Sequence, residues 1–366
     1  MGMELKEQAI SLLKQLIEIP SLSREEDKTA DLIESLLKSN GVETERLQNN
    51  IWAKNKQFDA SKPTLLLNSH HDTVKPNAGY TKDPFKAIVE DGRLYGLGSN
   101  DAGGCLVSLL ATFLHFYEEK WPYNIIFLAS AEEEISGKNG IALALPELGK
   151  IDFAMVGEPT LMQMAVAEKG LMVLDCSVKG KAGHAARNEG ENAIYKALPI
   201  IDWFQNYRFE KESDWLGPIK MSVTQVNSGT QHNVVPDLCQ FVVDVRTTDV
   251  MSNQEVLEFI QQSVDCEVVA RSTRLNPSSI PADHPIVKAG ESLGMTKYGS
   301  PTLSDQALMP FPSLKLGPGD SARSHTADEY IYLKEIEQGI ELYIELITKF
   351  MNVTASLPVG RQGRGT

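Results

Sequence analysis

Four short apolar runs, at residues 64–67, 125–129, 153–156 and 313–316, constrain the fold of this chain more than any other feature. Each is shorter than a buried helix needs. Such runs suit strands covered on both faces of a parallel or mixed sheet. Helical patterns separate them. Residues 4–19 and 28–38 repeat apolar positions at three and four, the second ending at Asn40-Gly41. Residues 101–118 set Leu106, Leu109, Leu110, Phe113, Leu114 and Tyr117 on one stripe, and 330–351 predicts a last amphipathic helix. A second texture fills about 170–272. Leu174, Cys176 and Val178 alternate with Asp175, Ser177 and Lys179, and Phe241, Val243 and Val245 alternate with polar neighbours. Period-two alternation means strands with one wet face. With helical stretches at 192–204 and 253–264, the order there is βαββαβ, a ferredoxin-like module.

The expected fold class is therefore α/β: a larger domain around a central mixed or parallel sheet, with a smaller α+β domain inserted. The expected boundaries are 1–167 and 275–352 for the discontinuous larger domain and 168–274 for the insert. Residues 353–366 have little to bury and are expected to be disordered.

A formal net charge of −14 argues against non-specific nucleic-acid binding. No apolar run reaches the roughly 18 residues of a membrane span. Glu4, Lys6, Glu7 and Lys14 interrupt any signal-peptide core. Cys105, Cys176, Cys239 and Cys266 lie far apart with no CxxC pair, as expected of reduced thiols in a cytoplasmic protein.

In open α/β sheets, ligands collect beyond the carboxyl ends of strands. The four runs deliver His70 and Asp72; Glu132, Glu133 and Glu134; Glu158; and, past Gly317-Pro318-Gly319, His325. Asp101 stands where a helix is expected to begin. Each signal alone is weak: a loop histidine, a helix cap, a solvated acidic turn. Together they place three carboxylates in one crevice, where they repel unless cations sit among them. Asp101, Glu134, Glu158 and one hydroxide balance two divalent ions, with His70 and His325 as neutral donors. That nitrogen–oxygen set suits zinc, with cobalt or manganese as substitutes. Asp72, two residues after His70, is placed to accept its second ring N–H. His71 points the other way and is not expected to be a ligand. His115 and His284 are expected to be structural or surface histidines.

The pieces SHHDTV, GRLYGLGSNDAGG, SAEEEISG, VGEPT, KGKAGHAA, NVVPD and SHTADEY, in that order, resemble the M20 family of metallopeptidases and deacylases, over about residues 5–350. The resemblance implies a dinuclear centre bridged by Asp101, with His70 and Glu158 on one metal and Glu134 and His325 on the other. It implies a cis peptide after Asp101. With EEE where DEE is commoner, it makes Glu133 the catalytic base and Glu134 the ligand. His184, otherwise a loop histidine, becomes an oxyanion stabiliser reaching over from a partner subunit, which implies a homodimer with the insert as lid and dimerisation domain. Arg246 is a candidate clamp for a substrate carboxylate, with an ion pair to Asp244 as the alternative. Asn233 is a weaker substrate contact, and Gly319 is expected to bring backbone donors near the substrate. The implied activity is zinc-dependent removal of the acyl group of a small-molecule N-acyl amino acid, N-acetylornithine first (arginine biosynthesis). The alternatives are N-succinyl amino acids, di- or tripeptides, or a catalytically silent metal-binding protein.

Overall fold

The computed structural model describes residues 2–187 and 189–355. The chain divides into two compact units. The first comprises 1–166, 280–298 and 304–366, and the second 167–279 and 299–303.

The first unit is built on the apolar runs. Strand order across its sheet is Glu45–Leu47, Asn50–Lys54, Asn124–Ser130, Thr64–His70, Phe153–Val156, Ser313–Lys315, Met164–Glu168. The four strands Asn124–Ser130, Thr64–His70, Phe153–Val156 and Ser313–Lys315 are mutually parallel. All seven residues of Thr64–His70 and of Asn124–Ser130 are buried, as a doubly covered sheet requires. Helix Gly104–Phe116 is buried nearly all round and packs on this sheet. The last helix, Leu333–Ala355, buries Ile336, Ile340, Tyr343, Ile347 and Phe350 along one stripe.

Three sequence expectations shift. The helix expected from Asp101 begins at Gly104, because Asp101 is extended at φ −115° and ψ 101° inside the preceding turn. The helix expected from Tyr330 begins at Leu333, because Tyr330–Tyr332 pairs with Arg93–Tyr95 instead. The tail expected to be disordered from 353 is helical through Ala355, where Thr354 is buried and bonds the Phe350 carbonyl. The rest of that expectation, 356–366, lies outside the described residues.

The second unit holds a four-stranded antiparallel sheet in the order Lys220–Ser228, Leu238–Thr247, Gly170–Lys179, Glu267–Ala270. Helices Ala193–Asn206 and Asn253–Ser263 complete the βαββαβ succession. Cys176, Leu174, Phe241, Val243, Ile200 and Val256 form its core. Among the described residues no helix is long and apolar enough to cross a membrane, and all four cysteines are free thiols.

His284 is structural. It caps helix Pro285–Ser292, its Nδ1 accepting from the Ile286 N–H at 3.3 Å, and its ring packs on Phe153. Burial lowers its pKa to about 4. A base held below its unfolded value takes up a proton on unfolding, so this contribution is lost as pH falls from about 6.5 toward 4. Acidification to pH 4.5 is expected to remove on the order of 2 kcal/mol through this group. His284→Asn, which can still cap, should flatten that part of a urea-midpoint profile. An unchanged profile would rule His284 out as the source.

Candidate metal centre

The strand ends gather the acidic and imidazole groups. His70 closes its strand, and its Nδ1 lies 3.0 Å from the Asp72 carbonyl oxygen and 3.4 Å from the Asp72 carboxylate. The backbone carbonyl is therefore the nearer acceptor, where the sequence suggested the carboxylate. The reason is local: the strand stops at His70, so strict alternation no longer sets where Asp72 points. The Asp72 carboxylate accepts instead from Ser23 Oγ at 2.7 Å and from the Glu133 and Glu134 N–H groups at 3.0 and 3.2 Å. It ties the end of one strand to the acidic turn after the next.

With Nδ1–H donated to a carbonyl, Nε2 of His70 carries the lone pair. That atom is buried without a hydrogen-bond partner. It faces Asp101 Oδ1 at 3.4 Å and Glu158 Oε1 at 3.8 Å. Asp101 Oδ2 lies 3.5 Å from His325 Nε2, which lies 3.0 Å from Glu134 Oε2. The donor atoms of His70, Asp101 and Glu158 fall within 4.8 Å of one another, as do those of Asp101, Glu134 and His325. Asp101 thus offers one oxygen to each triad. Glu133 belongs to neither, its carboxylate 3.9 Å from His70 Nε2.

The electrostatics point the same way. Burial, then Asp101, raises Glu158 to about 8. Burial, opposed by His70 and reinforced by Glu158, raises Glu133 well above the usual carboxylate range. The hydrogen bond to Glu134 lifts His325 to about 9. Groups that draw protons this strongly lack positive charge, and divalent cations supply it. An orphaned His70 nitrogen facing two carboxylates, and a His325 nitrogen set against Glu134 and Asp101, make a donor set that fits two such ions.

The supports include residues the sequence reading missed. Glu329, 2% exposed, accepts from the Gly98, Asn100 and Asp101 N–H groups at 3.0, 2.8 and 2.9 Å. It shapes the turn carrying Asp101, whose peptide to Ala102 is cis. Burial and Asp101 raise it to about 8. Asp305 is buried and accepts from Ser130 Oγ at 2.6 Å, next to the strand end that pairs with His70. The His325 loop is pinned by a two-pronged Arg323–Glu335 ion pair and by Asp328, which accepts from the Thr81 and Lys82 N–H groups. His325 itself has left-handed backbone, φ 59°, and a side chain 56% exposed.

His71 is buried, bonded to Thr29 Oγ1 and the Asn49 carbonyl, and burial lowers it to about 4, so it is structural. Gly319 has φ 88°, and a Cβ there would strike Asn100 Oδ1. The donors beside it are already used, Gly317 N–H by Thr160 Oγ1 and Asp320 N–H by Asn100 Oδ1. In the second unit, His184 is exposed on a two-residue strand opposite Val234, and its Nδ1 accepts from the Ala186 N–H. Asn233 is beside it, its carbonyl accepting from the Ala185 N–H at 3.0 Å. Arg246 makes the ion pair with Asp244 that the sequence left as the alternative, at 2.8 and 3.1 Å.

Two imidazole–carboxylate triads sharing an aspartate, with a spare glutamate alongside, are the donor set of a two-metal hydrolase. The chain belongs to peptidase family M20/M25/M40, whose family model matches residues 66–349. It is a metal-dependent hydrolase of amide bonds. It is 28% identical to acetylornithine deacetylase of Proteus mirabilis over 377 residues, covering 93% of this chain and 96% of that one. It is 28% identical to succinyl-diaminopimelate desuccinylase of Corynebacterium glutamicum, covering 92% and 95%. Its fold is similar to that of the Bacillus subtilis YXEP protein, described as a dinuclear metal binding peptidase, with a TM-score of 0.73, 18% identity, and 95% and 99% coverage.

Proposed function

We propose that this chain removes the acyl group of an N-acyl amino acid, with two zinc ions held by His70, Asp101 and Glu158 and by Asp101, Glu134 and His325. The observation that carries this reading is the shared Asp101 with Glu133 left over beside the His70 triad. Two such ions would lower the pKa of a water and polarise the amide carbonyl. Glu133 takes the proton of the attacking water and returns it to the departing nitrogen, so no covalent acyl-enzyme forms. Asp72 and Glu329 hold the backbone of Glu133 and of Asp101 in place. His184 and Asn233 contact the reacting amide, His184 at the developing oxyanion. Arg246 binds a substrate carboxylate, and Gly319 lets the chain pass close to the site.

A homodimer is part of the proposal. Exposed Tyr195, Leu198 and Val226, on helix Ala193–Asn206 and strand Lys220–Ser228 of the second unit, support it. A cytoplasmic setting fits the four free thiols.

Among acyl groups, acetyl on ornithine is the expectation from resemblance, and one relative bears that name. N-succinyl amino acids are the second reading, and another relative bears the desuccinylase name. A panel of N-acetyl and N-succinyl amino acids and di- and tripeptides, assayed by amine release, tests the class. An N-acyl amino acid is expected to be cleaved fastest. Faster turnover of a peptide with a free amine would reassign the chain to the peptidases, and no turnover of any member would leave a silent metal-binding protein.

A further inference from the structure

The turn that carries Glu133 and Glu134 is held by side chains from elsewhere in the first unit. Four consecutive backbone N–H groups are each engaged in this way. Asn50 Oδ1 accepts from Ala131 at 3.1 Å, Glu26 Oε1 from Glu132 at 3.2 Å, and Asp72 from Glu133 and Glu134 at 3.0 and 3.2 Å. Glu26 is the unexpected member. It is 1% exposed, and it stands at the start of helix Asp27–Ser39 without capping it through its side chain. Its carboxylate instead takes the Arg24 N–H at 2.7 Å, Asn49 Nδ2 at 3.0 Å and the Glu132 N–H. All three donors are neutral amides. Burial pushes its pKa above the ordinary carboxylate value, against the hydrogen bonds from Arg24 and Asn49. A carboxylate buried among neutral donors is costly to keep.

What it holds is a corner. Glu132 has left-handed backbone, φ 53° and ψ 24°, which a residue with a Cβ adopts only at a cost. Its own carboxylate is taken up by Asn139, accepting from N–H and Nδ2 at 3.3 and 2.9 Å. Its carbonyl accepts from the Gly137 N–H at 2.7 Å, and a Cβ on Gly137 would strike the Glu132 side chain. The corner sets the direction in which the chain leaves strand Asn124–Ser130. Glu134 has a further anchor in His325, 3.0 Å from its carboxylate. Among the described residues the Glu133 carboxylate makes no hydrogen bond, and His70 Nε2 stands 3.9 Å away. The place of Glu133 therefore depends on its backbone.

We propose that Glu26 is a positioning residue for the reaction: by holding the Glu132 N–H it fixes the left-handed corner from which Glu133 reaches the attacking water. This rests on the reading of Glu133 as the base. Glu26 acts through the reach of its side chain and not through its charge. Without it, Glu132 is free to relax toward ordinary backbone angles and turn Glu133 away. A misplacement of about 1 Å can cost about 100-fold in rate.

Two substitutions separate reach from charge, each made in the full-length, zinc-loaded chain and assayed on the panel member cleaved fastest. Glu26→Asp keeps the charge and falls one methylene short of the Glu132 N–H. Glu26→Gln keeps the length and an oxygen for the Arg24 and Glu132 N–H groups. The Asn49 amide can turn over to meet the new NH2, giving up a 3.4 Å contact with Arg46. Glu26→Asp is expected to lower kcat about 10- to 100-fold, with KM within about twofold of wild type and two metals retained. Glu26→Gln should recover kcat to within about threefold of wild type. In a double variant with Glu133→Gln, Glu26→Asp should slow the residual rate by no more than about twofold, because residues that act through one group are not additive. Melting temperatures are read alongside, with assays run well below them. Full activity in Glu26→Asp, whatever its melting temperature, would make Glu26 structural only and overturn the proposal. So would an active Asp variant beside an inactive Gln variant, which would show that charge matters and reach does not, or losses that multiply in the double variant. Each of these leaves Glu133 as the base. Full activity in Glu133→Gln alone would overturn the base reading itself, and the positioning role with it.

Discussion

Glu133→Gln is expected to lower kcat by about 100- to 10,000-fold, the range of a lost general base, while leaving two metals per chain. The expectation follows from position. Glu133 is absent from both triads, yet its carboxylate lies 3.9 Å from His70 Nε2, and its backbone N–H is held by Asp72 at 3.0 Å. Its neighbour Glu134 supplies the oxygen 3.0 Å from His325. On the proposed reading, a single run of three glutamates presents Glu134 as a ligand and Glu133, the residue before it, as the base. Stopped-flow turnover alongside elemental analysis checks this. Activity surviving in Glu133→Gln would remove it from the mechanism, and metal lost in step with activity would make it a ligand instead.

Asp101→Asn is expected to destabilise the protein far more with metal bound than without. In the loaded protein, loss of the shared carboxylate weakens both sites. An ion present at 1,000 times its dissociation constant contributes about 4 kcal/mol to stability, so loss of tight binding should lower the melting temperature by several degrees or more. In the metal-stripped protein the Asp101 carboxylate still faces His70 and His325, which hold its pKa below the usual value against burial. There the amide is expected to cost stability too, but less than the loss of two bound ions. Differential scanning calorimetry with and without chelator separates the two arms. Destabilisation of the same size in both would make Asp101 a structural residue and not a shared ligand.

Much of this arrangement was legible in the sequence because it depends on local pattern. Buried strands show as unbroken apolar runs, and their polar ends carry His70, the run Glu132–Glu134 and Glu158, with the choice of Glu134 within that run coming from the family resemblance alone. The alternation at 174–179 and 241–246 fixes which side chains of the second sheet face its core. What stayed hidden depends on pairs far apart in the chain. Glu329 contacts Asp101 across 228 residues, and Asp305 contacts Ser130 across 175. Glu329 lies inside SHTADEY, four residues after His325, but nothing local says that it reaches the Asp101 turn, and Asp305 in LSDQA carries no local signal beyond being acidic. The late start of helix Gly104–Phe116 has the same origin, because the N–H of Asp101, which a helix start would leave open, is taken by Glu329. The Asp72 carbonyl, not its carboxylate, is nearer to His70 because the strand ends at His70, a boundary that residue types do not mark.

If two cations are what hold these acidic and imidazole groups together, bound metal is stoichiometric, and elemental analysis of the purified chain, stripped with chelator, reloaded and dialysed, reads it. Two divalent ions are expected per wild-type chain and one per chain in His325→Ala, which loses the half of the centre carried on the exposed loop. A wild-type chain that keeps no stoichiometric metal yet hydrolyses an amide at full rate would contradict it.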